Sequence, residues 1–304
     1  MSATDQERHV ALAIAGNRAR ILIDNPRKLN ALAMPAIDQL DAALDAIEAA
    51  PGLRLVEITG SGERAFSAGG DVRQWSSLQP GEMARRWIRR GNRVFGRLAA
   101  LDLPVICLLN GDALGGGLEL ALAADTRIAA AGIRLAAPEP VLGAVPGWLG
   151  CQRLVETVGP ARARQLVLFG RSLTAEEALD WGLVDAVVPR DGLRAEADRL
   201  AEAVTARAPV AVALSKRLLR AAQGQETVET LYELAAARAL ASAGGREARA
   251  PSPRSARPAL PTTWTEKGES DGRARGQGRR DPAGRLRHLS ADRRCRRARG
   301  RGRA

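Results

Sequence analysis

PVICLLNGDALGGGLELALAAD, residues 104–125, runs from strand through glycine loop to helix without a break. Val105 to Leu109 are all apolar and match a buried strand in length. Gly115, Gly116 and Gly117 follow, and residues without side chains let other groups approach the backbone closely. From Leu118 the chain is rich in Leu and Ala, which favours a helix. A buried strand that feeds a helix through a short loop belongs to an α/β body.

Working outward, the same logic repeats. LRLVEITG (53–60) is a strand, and SGERAFSAGGD (61–71) reads as a loop of small residues. VALAIAG (10–16) and ARILID (19–24) form a hairpin across Gly16 and Asn17. Pro35 opens a helix in which Ile37, Leu40, Leu44 and Ile47 recur until Pro51 and Gly52 stop it. An amphipathic helix is expected from about residue 82 to 101, and TRIAA (126–130) and IRLAA (133–137) are short strands. After Gly150 helical patterns dominate through Leu240, interrupted by GLVDAVVP (182–189). The expected body is therefore α/β to about residue 170, with a helical segment over 171–243. No strand-helix-strand unit carries GxGxxG, so a dinucleotide fold is not indicated.

The 304 residues carry a net charge of +12. Eighteen Lys or Arg and six Asp or Glu fall in residues 246–304, which accounts for the whole excess. The body is neutral, so its charge suggests neither nucleic acid nor membrane. The tail over 244–304 is arginine-rich and without hydrophobic periodicity, and is expected to be disordered and solvated. Cys107, Cys151 and Cys295 are far apart, with no CxxC and no neighbouring His. Neither a disulfide framework nor a zinc site is indicated, and no metal is expected. The polar opening MSATDQERHV and the lack of eighteen consecutive apolar residues lead to the expectation of a soluble, cytoplasmic protein.

Two loops carry the chemistry. Residues 65–71, AFSAGGD, follow a strand, and residues 111–119, GDALGGGLE, follow a strand and open a helix. Each exposes backbone N–H groups, and a helix start adds unsatisfied donors and a positive dipole end. One donor from each loop could cradle a developing oxyanion. Either loop alone is equally well a close-packing turn; their joint occurrence is what singles them out. Glu119 lies one turn into an otherwise apolar helix, and Glu139 sits between Pro138 and Pro140. Two carboxylates facing one water can move a proton both ways, and apolar settings raise at least one pKa. A Ser-His-Asp hydrolase is disfavoured, since the two histidines, His9 and His288, lie near opposite ends and no GxSxG occurs. No GxxxxGK[ST] is present for a P-loop.

AFSAGGD, GDALGGGLE and APEPVLGAVPG (137–147), followed by CQRL (151–154), together resemble the signature of the crotonase (enoyl-CoA hydratase/isomerase) superfamily. NPRKLNAL (25–32) and TAEEALDWGLVDAVVP (174–189) are similar to further family segments, and the likeness spans about residues 8–243. The resemblance implies a crotonase-like spiral of ββα units with a C-terminal helical segment. It also implies an acyl-CoA thioester substrate, with coenzyme A as part of that substrate and no permanently bound cofactor. A homotrimer or homohexamer is the implied assembly. By position, Ala68 and Gly116 match the oxyanion donors, and Glu119 and Glu139 match the catalytic glutamates. Gly147 matches a glycine close to the reacting acyl group. Lys28, Leu29, Ala68, Gly69, Gly70 and Asp71 fall where the family contacts coenzyme A and its acyl chain.

The implied reaction adds water to a 2-enoyl-CoA, as in fatty acid degradation. Isomerase chemistry, another crotonase-family acyl-CoA reaction such as hydrolysis or decarboxylation, a catalytically silent binding protein, and nucleic-acid binding through the tail stay open as alternatives. Trp148 and Leu149 depart from the small residues that many relatives carry after Pro-Gly. The family's usual C-terminal Phe-x-Glu-Lys-Arg-x-Pro segment is missing. Residues 251–257 nevertheless admit codons that read Phe-Thr-Glu-Lys-Arg-Pro in another frame. The tail is therefore read as a hypothetical frameshift product, which the codons of the gene decide.

Overall fold

The computed structural model describes residues 9–224. The chain opens with the hairpin β1 (Val10–Ala15) and β2 (Arg18–Ile23), then α1 (Met34–Ala49). Next come β3 (Leu55–Gly60), β4 (Ala65–Ser67), α2 (Val72–Trp75) and α3 (Pro80–Glu82). A π-helical stretch, Met83–Ile88, joins α3 to α4 (Arg89–Ala100). β5 (Val105–Leu109), β6 (Asp112–Leu114) and α5 (Gly116–Ala121) follow. After them come β7 (Thr126–Ala130), β8 (Arg134–Ala136), a 3-10 turn at Glu139–Leu142 and α6 (Gly150–Val167). The described chain ends with β9 (Leu173–Thr174), α7 (Ala175–Asp180), β10 (Ala186–Val188), α8 (Leu193–Thr205) and α9 (Pro209–Ala222).

Two sheets are built from these strands, one in the order β1-β2-β3-β5-β7-β10 and the other β4-β6-β8-β9. The chain alternates between them: β3, β5 and β7 enter the larger sheet, and β4, β6 and β8 enter the smaller. That alternation is the spiral of ββα units. From β2 onward the larger sheet is parallel. Its central strand β5 is buried at every position, as its unbroken apolar run dictates. α1 lays Ile37, Leu40, Leu44 and Ile47 into the same core. No helix among the described residues is long and apolar enough to cross a membrane.

Several expectations shift. The stretch 61–71 contains the three-residue strand β4, and β6 follows β5 almost directly. The helix after the glycine run stops at Ala121, before Asp125. Asp125 instead accepts the Val105 N–H and the Lys216 ammonium, both at 2.7 Å. β10 joins the larger sheet, so strand pairing continues past residue 170. The helical segment expected over 171–243 is described as far as Gly224; the rest of it, the tail over 244–304 and the frameshift reading lie outside the described residues.

Parallel pairing of β4 with β6 aligns Ala65 with Asp112 and Ser67 with Ala113, which sets the two loops that follow them side by side. Asn30 braces this arrangement from the segment before α1. It is fully buried and adopts a left-handed φ of 56°, a conformation Asn tolerates better than most residues. Its side chain accepts the Asn25 N–H and donates to the carbonyls of Ser61 and Ala65. Its own carbonyl accepts the Ser67 hydroxyl at 2.8 Å. Asn30→Ala strips four side-chain hydrogen bonds, the fourth accepted from the Ser61 hydroxyl at 3.3 Å, and should lower unfolding free energy by about 3 kcal/mol in urea melts. A loss under about 1 kcal/mol would contradict this bracing role.

Candidate active site

The loops after β4 and β6, the 3-10 turn and the start of α6 enclose a cavity of about 350 Å³. Ala68, Gly70, Gly116, Glu119, Glu139 and Gly147 all line it. Lys28, Leu29, Gly69 and Asp71 do not. Asp71 instead caps α2, accepting the amides of Arg73 and Gln74 at 3.0 and 3.3 Å, and lies 3.6 Å from the Lys28 ammonium. Gly69 turns the loop at φ 89°; a Cβ there would sit 2.8 Å from the Gly116 nitrogen. The two backbones meet at a distance that only glycine permits.

One expected role is corrected. The Ala68 N–H is donated to the Leu29 carbonyl at 2.9 Å, so it is committed to holding the loop. The neighbouring bridge between Leu32 and Gly70 is parallel. It uses the Leu32 N–H to the Gly69 carbonyl and the Asp71 N–H to the Leu32 carbonyl. Such a bridge employs the groups flanking Gly70 and turns the N–H of Gly70 itself away, on the side opposite Leu32. The Gly70 nitrogen lies 3.3 Å from where a Cβ on Gly116 would be. Gly116 is the first residue of α5, whose opening amides have no partner within the helix. Gly70, not Ala68, therefore pairs with Gly116 as the candidate oxyanion donor.

Glu119 projects from α5 and is 5% exposed. Its Oε1 accepts the N–H groups of Trp148 and Gly150, each at 2.8 Å. Leu149 between them sits at φ 68°, a left-handed conformation that costs a non-glycine residue about 1 kcal/mol. A Cβ on Gly150 would lie 2.4 Å from the same oxygen, so a side chain there would push the Glu119 carboxylate off these amides. Burial raises the Glu119 pKa to about 7; the Trp148 N–H opposes the rise, and the charge of Glu139 adds to it.

Glu139 comes from the 3-10 turn. Both of its carboxylate oxygens are buried with no protein hydrogen-bond partner, and burial raises its pKa. A Cβ on Gly115 would lie 2.9 Å from its Oε1, which places the carboxylate against the glycine loop. Gly115 itself has φ 52° and ψ −126°, a combination outside the regions open to side-chain-bearing residues. The site thus sets two backbone N–H groups and two carboxylates on one cavity. Two neighbouring buried carboxylates resist double ionisation and can hold one proton between them.

Sequence reading missed other parts. Trp75, Met83, Trp87 and Ile88 supply an apolar wall, which they share with Trp148, the residue the sequence had already set apart. Arg153, in the CQRL stretch, is buried and donates to the carbonyls of Trp148 and Phe95, both at 3.2 Å. Burial lowers its pKa to about 10, and the charge of Glu119 opposes that shift. A lone Arg on a helix face turned to the core was the available signal. Cys151 is exposed at the start of α6, and Cys107 is buried in β5; burial raises both thiol pKa values. Among the described residues, no group of three or more His, Cys, Asp or Glu could hold a metal ion.

The family model for enoyl-CoA hydratase/isomerase matches residues 14–242. The short-chain-enoyl-CoA hydratase of Clostridium acetobutylicum is 39% identical over 211 residues, covering 69% of this chain and 80% of that protein. The crotonyl-CoA hydratase of Syntrophomonas wolfei is 39% identical over 198 residues, 65% of this chain and 76% of that protein. Among solved structures, an enoyl-CoA hydratase from Bacillus anthracis superposes with a TM-score of 0.69 at 32% identity, covering 79% of this chain and 94% of that one.

A buried carboxyl whose pKa rises from 4.5 to about 7 binds its proton more tightly in the folded state. Its contribution to stability is full below about pH 4.5 and is lost as pH rises to about 7, on the order of 3 kcal/mol. Glu119→Gln keeps an acceptor for both amides and carries no charge. Relative to that variant, the wild type should lose stability between pH 5 and pH 8 in urea melts. An identical pH dependence in the two proteins would contradict the buried-carboxyl assignment.

Proposed function

The chain belongs to the enoyl-CoA hydratase/isomerase family, and from that premise we propose that it adds water across the double bond of a 2-enoyl-CoA to give a 3-hydroxyacyl-CoA. Family membership implies an acyl-CoA thioester substrate. The observation that carries the hydratase reading is the convergence of Glu119 and Glu139 on one cavity with the glycine loops.

In this reading the N–H groups of Gly70 and Gly116 hold the thioester oxygen. They stabilise the negative charge that develops there, and one such donor is typically worth about 3–4 kcal/mol. Glu119 and Glu139 hold the water between them. The ionised member takes a proton from the water as its oxygen bonds the β-carbon. The protonated member gives its proton to the α-carbon. One proton enters the pair and one leaves, so the pair ends with the two roles exchanged and the same charge.

A double-bond isomerase needs only one carboxylate to carry a proton between carbons. Two carboxylates on one cavity favour hydration, and they argue against a silent binding protein. The names of the Clostridium and Syntrophomonas relatives support a short acyl chain. Coenzyme A then enters only as part of the substrate, and a homotrimer or homohexamer belongs to the same reading, to be checked by sedimentation.

Crotonyl-CoA tests the proposal directly. The conjugated-enoyl ultraviolet absorbance should fall rapidly with the wild type. Glu119→Gln and Glu139→Gln should each slow that fall by about 10²–10⁴-fold, the range of a lost acid or base. A protein that binds acyl-CoA esters yet leaves the absorbance unchanged would overturn the hydratase reading. Loss of activity in only one of the two variants would favour the isomerase.

A further inference from the structure

We propose that the Trp148 indole forms the floor of the acyl pocket and sets the longest acyl chain the site accepts. The inference rests on the acyl-CoA reading above and deepens it.

Exposure along the cavity lining gives the pocket a direction. Leu142 is 52% exposed and Val145 is 72% exposed, so they stand at the mouth. Trp148 is 2% exposed and marks the opposite, core end. Behind it lies packed core. Its ring centroid is 5.1 Å from that of Phe95, edge to face, and 5.2 Å from that of Trp87. Its Nε1 donates to the Trp87 carbonyl at 3.2 Å, which fixes the orientation of the ring. Gly91 of α4 makes room for the indole: a Cβ there would lie 2.2 Å from Nε1.

The opposite edge of the ring lies beneath the two candidate oxyanion residues. Its Cζ3 is 2.6 Å from a Cβ built on Gly116, and its Cη2 is 3.6 Å from one built on Gly70. A thioester oxygen held by those amides therefore places the first acyl carbons over the indole. Carbons farther along the chain meet the ring instead of a tunnel. A smaller side chain at position 148 would open space toward Phe95 and Gly91, which pack against the indole from the core side. The backbone N–H of the same residue holds Glu119, and a side-chain change leaves that N–H in place.

The test measures binding, which does not depend on hydration. Dissociation constants of butyryl-, hexanoyl-, octanoyl- and decanoyl-CoA are determined by calorimetry for the wild type, Trp148→Ala and Trp148→Phe. The wild type should bind the short esters and discriminate against octanoyl and decanoyl. Trp148→Ala should raise the octanoyl-to-butyryl affinity ratio by about tenfold or more, on the scale of a methylene or two in an apolar pocket. Trp148→Phe, which keeps a ring against Phe95, should raise it less but in the same direction, and decides the matter if the alanine variant does not fold. An unchanged ratio in the folded variants, or equal wild-type affinity at every chain length, overturns the floor assignment alone. No binding of any acyl-CoA by the wild type overturns the acyl-CoA reading, and this inference with it.

Discussion

One carboxylate oxygen, Oε1 of Glu119, receives two backbone amides from a single tight turn, and much of the site follows from that contact. To aim both N–H groups at one point, Leu149 must take a left-handed conformation and position 150 must lack a side chain. The turn opens α6, so the positive end of that helix faces the carboxylate. Arg153, one turn further along, clamps the turn to α4 through the carbonyls of Trp148 and Phe95. The same turn delivers the Trp148 indole into the cavity. Chemistry and pocket shape therefore share four consecutive residues, 147 to 150.

The two carboxylates are treated differently by their surroundings. Glu119 is deeply buried but bonded to amides that favour its anion. Glu139 is less deeply buried, yet both of its oxygens lack protein partners. Buried polar atoms without partners are rare, and a catalytic role is one of the reasons a protein keeps them. The glycine loops show a similar division of labour. Ala68, Gly69 and Asp71 spend their backbone groups on the brace formed by residues 29–32, which leaves the amide of Gly70 to face Gly116. A rigid loop with one amide aimed outward is what oxyanion stabilisation requires.

Much of this was legible in the sequence. The hairpin, α1, β3 and β5 declare themselves through apolar runs, periodicity and turn residues. The glycine loops, with Glu119 and Glu139, stood out because each breaks the pattern of its neighbours. β4 and β6 were not legible, because three-residue strands are too short for alternation to register. The choice between Ala68 and Gly70 as donor depends on which amides the segment around Leu29 and Leu32 consumes, a contact between residues about 40 apart. The apolar wall was hidden for the same reason: Trp75, Trp87 and Trp148 lie far apart in the chain and meet only in three dimensions.

The central claim is that Glu119 and Glu139 hold a proton between them near neutral pH. Infrared difference spectra of the carboxyl groups, wild type against Glu119→Gln, measure this most directly. The account predicts a protonated-carboxyl C=O band in the wild type at pH 6 that fades as the pH passes about 7, the value to which burial raises Glu119, and that Glu119→Gln alters. A spectrum in which every carboxyl has ionised by pH 5 would contradict it, and would leave the pair without the acid that hydration needs.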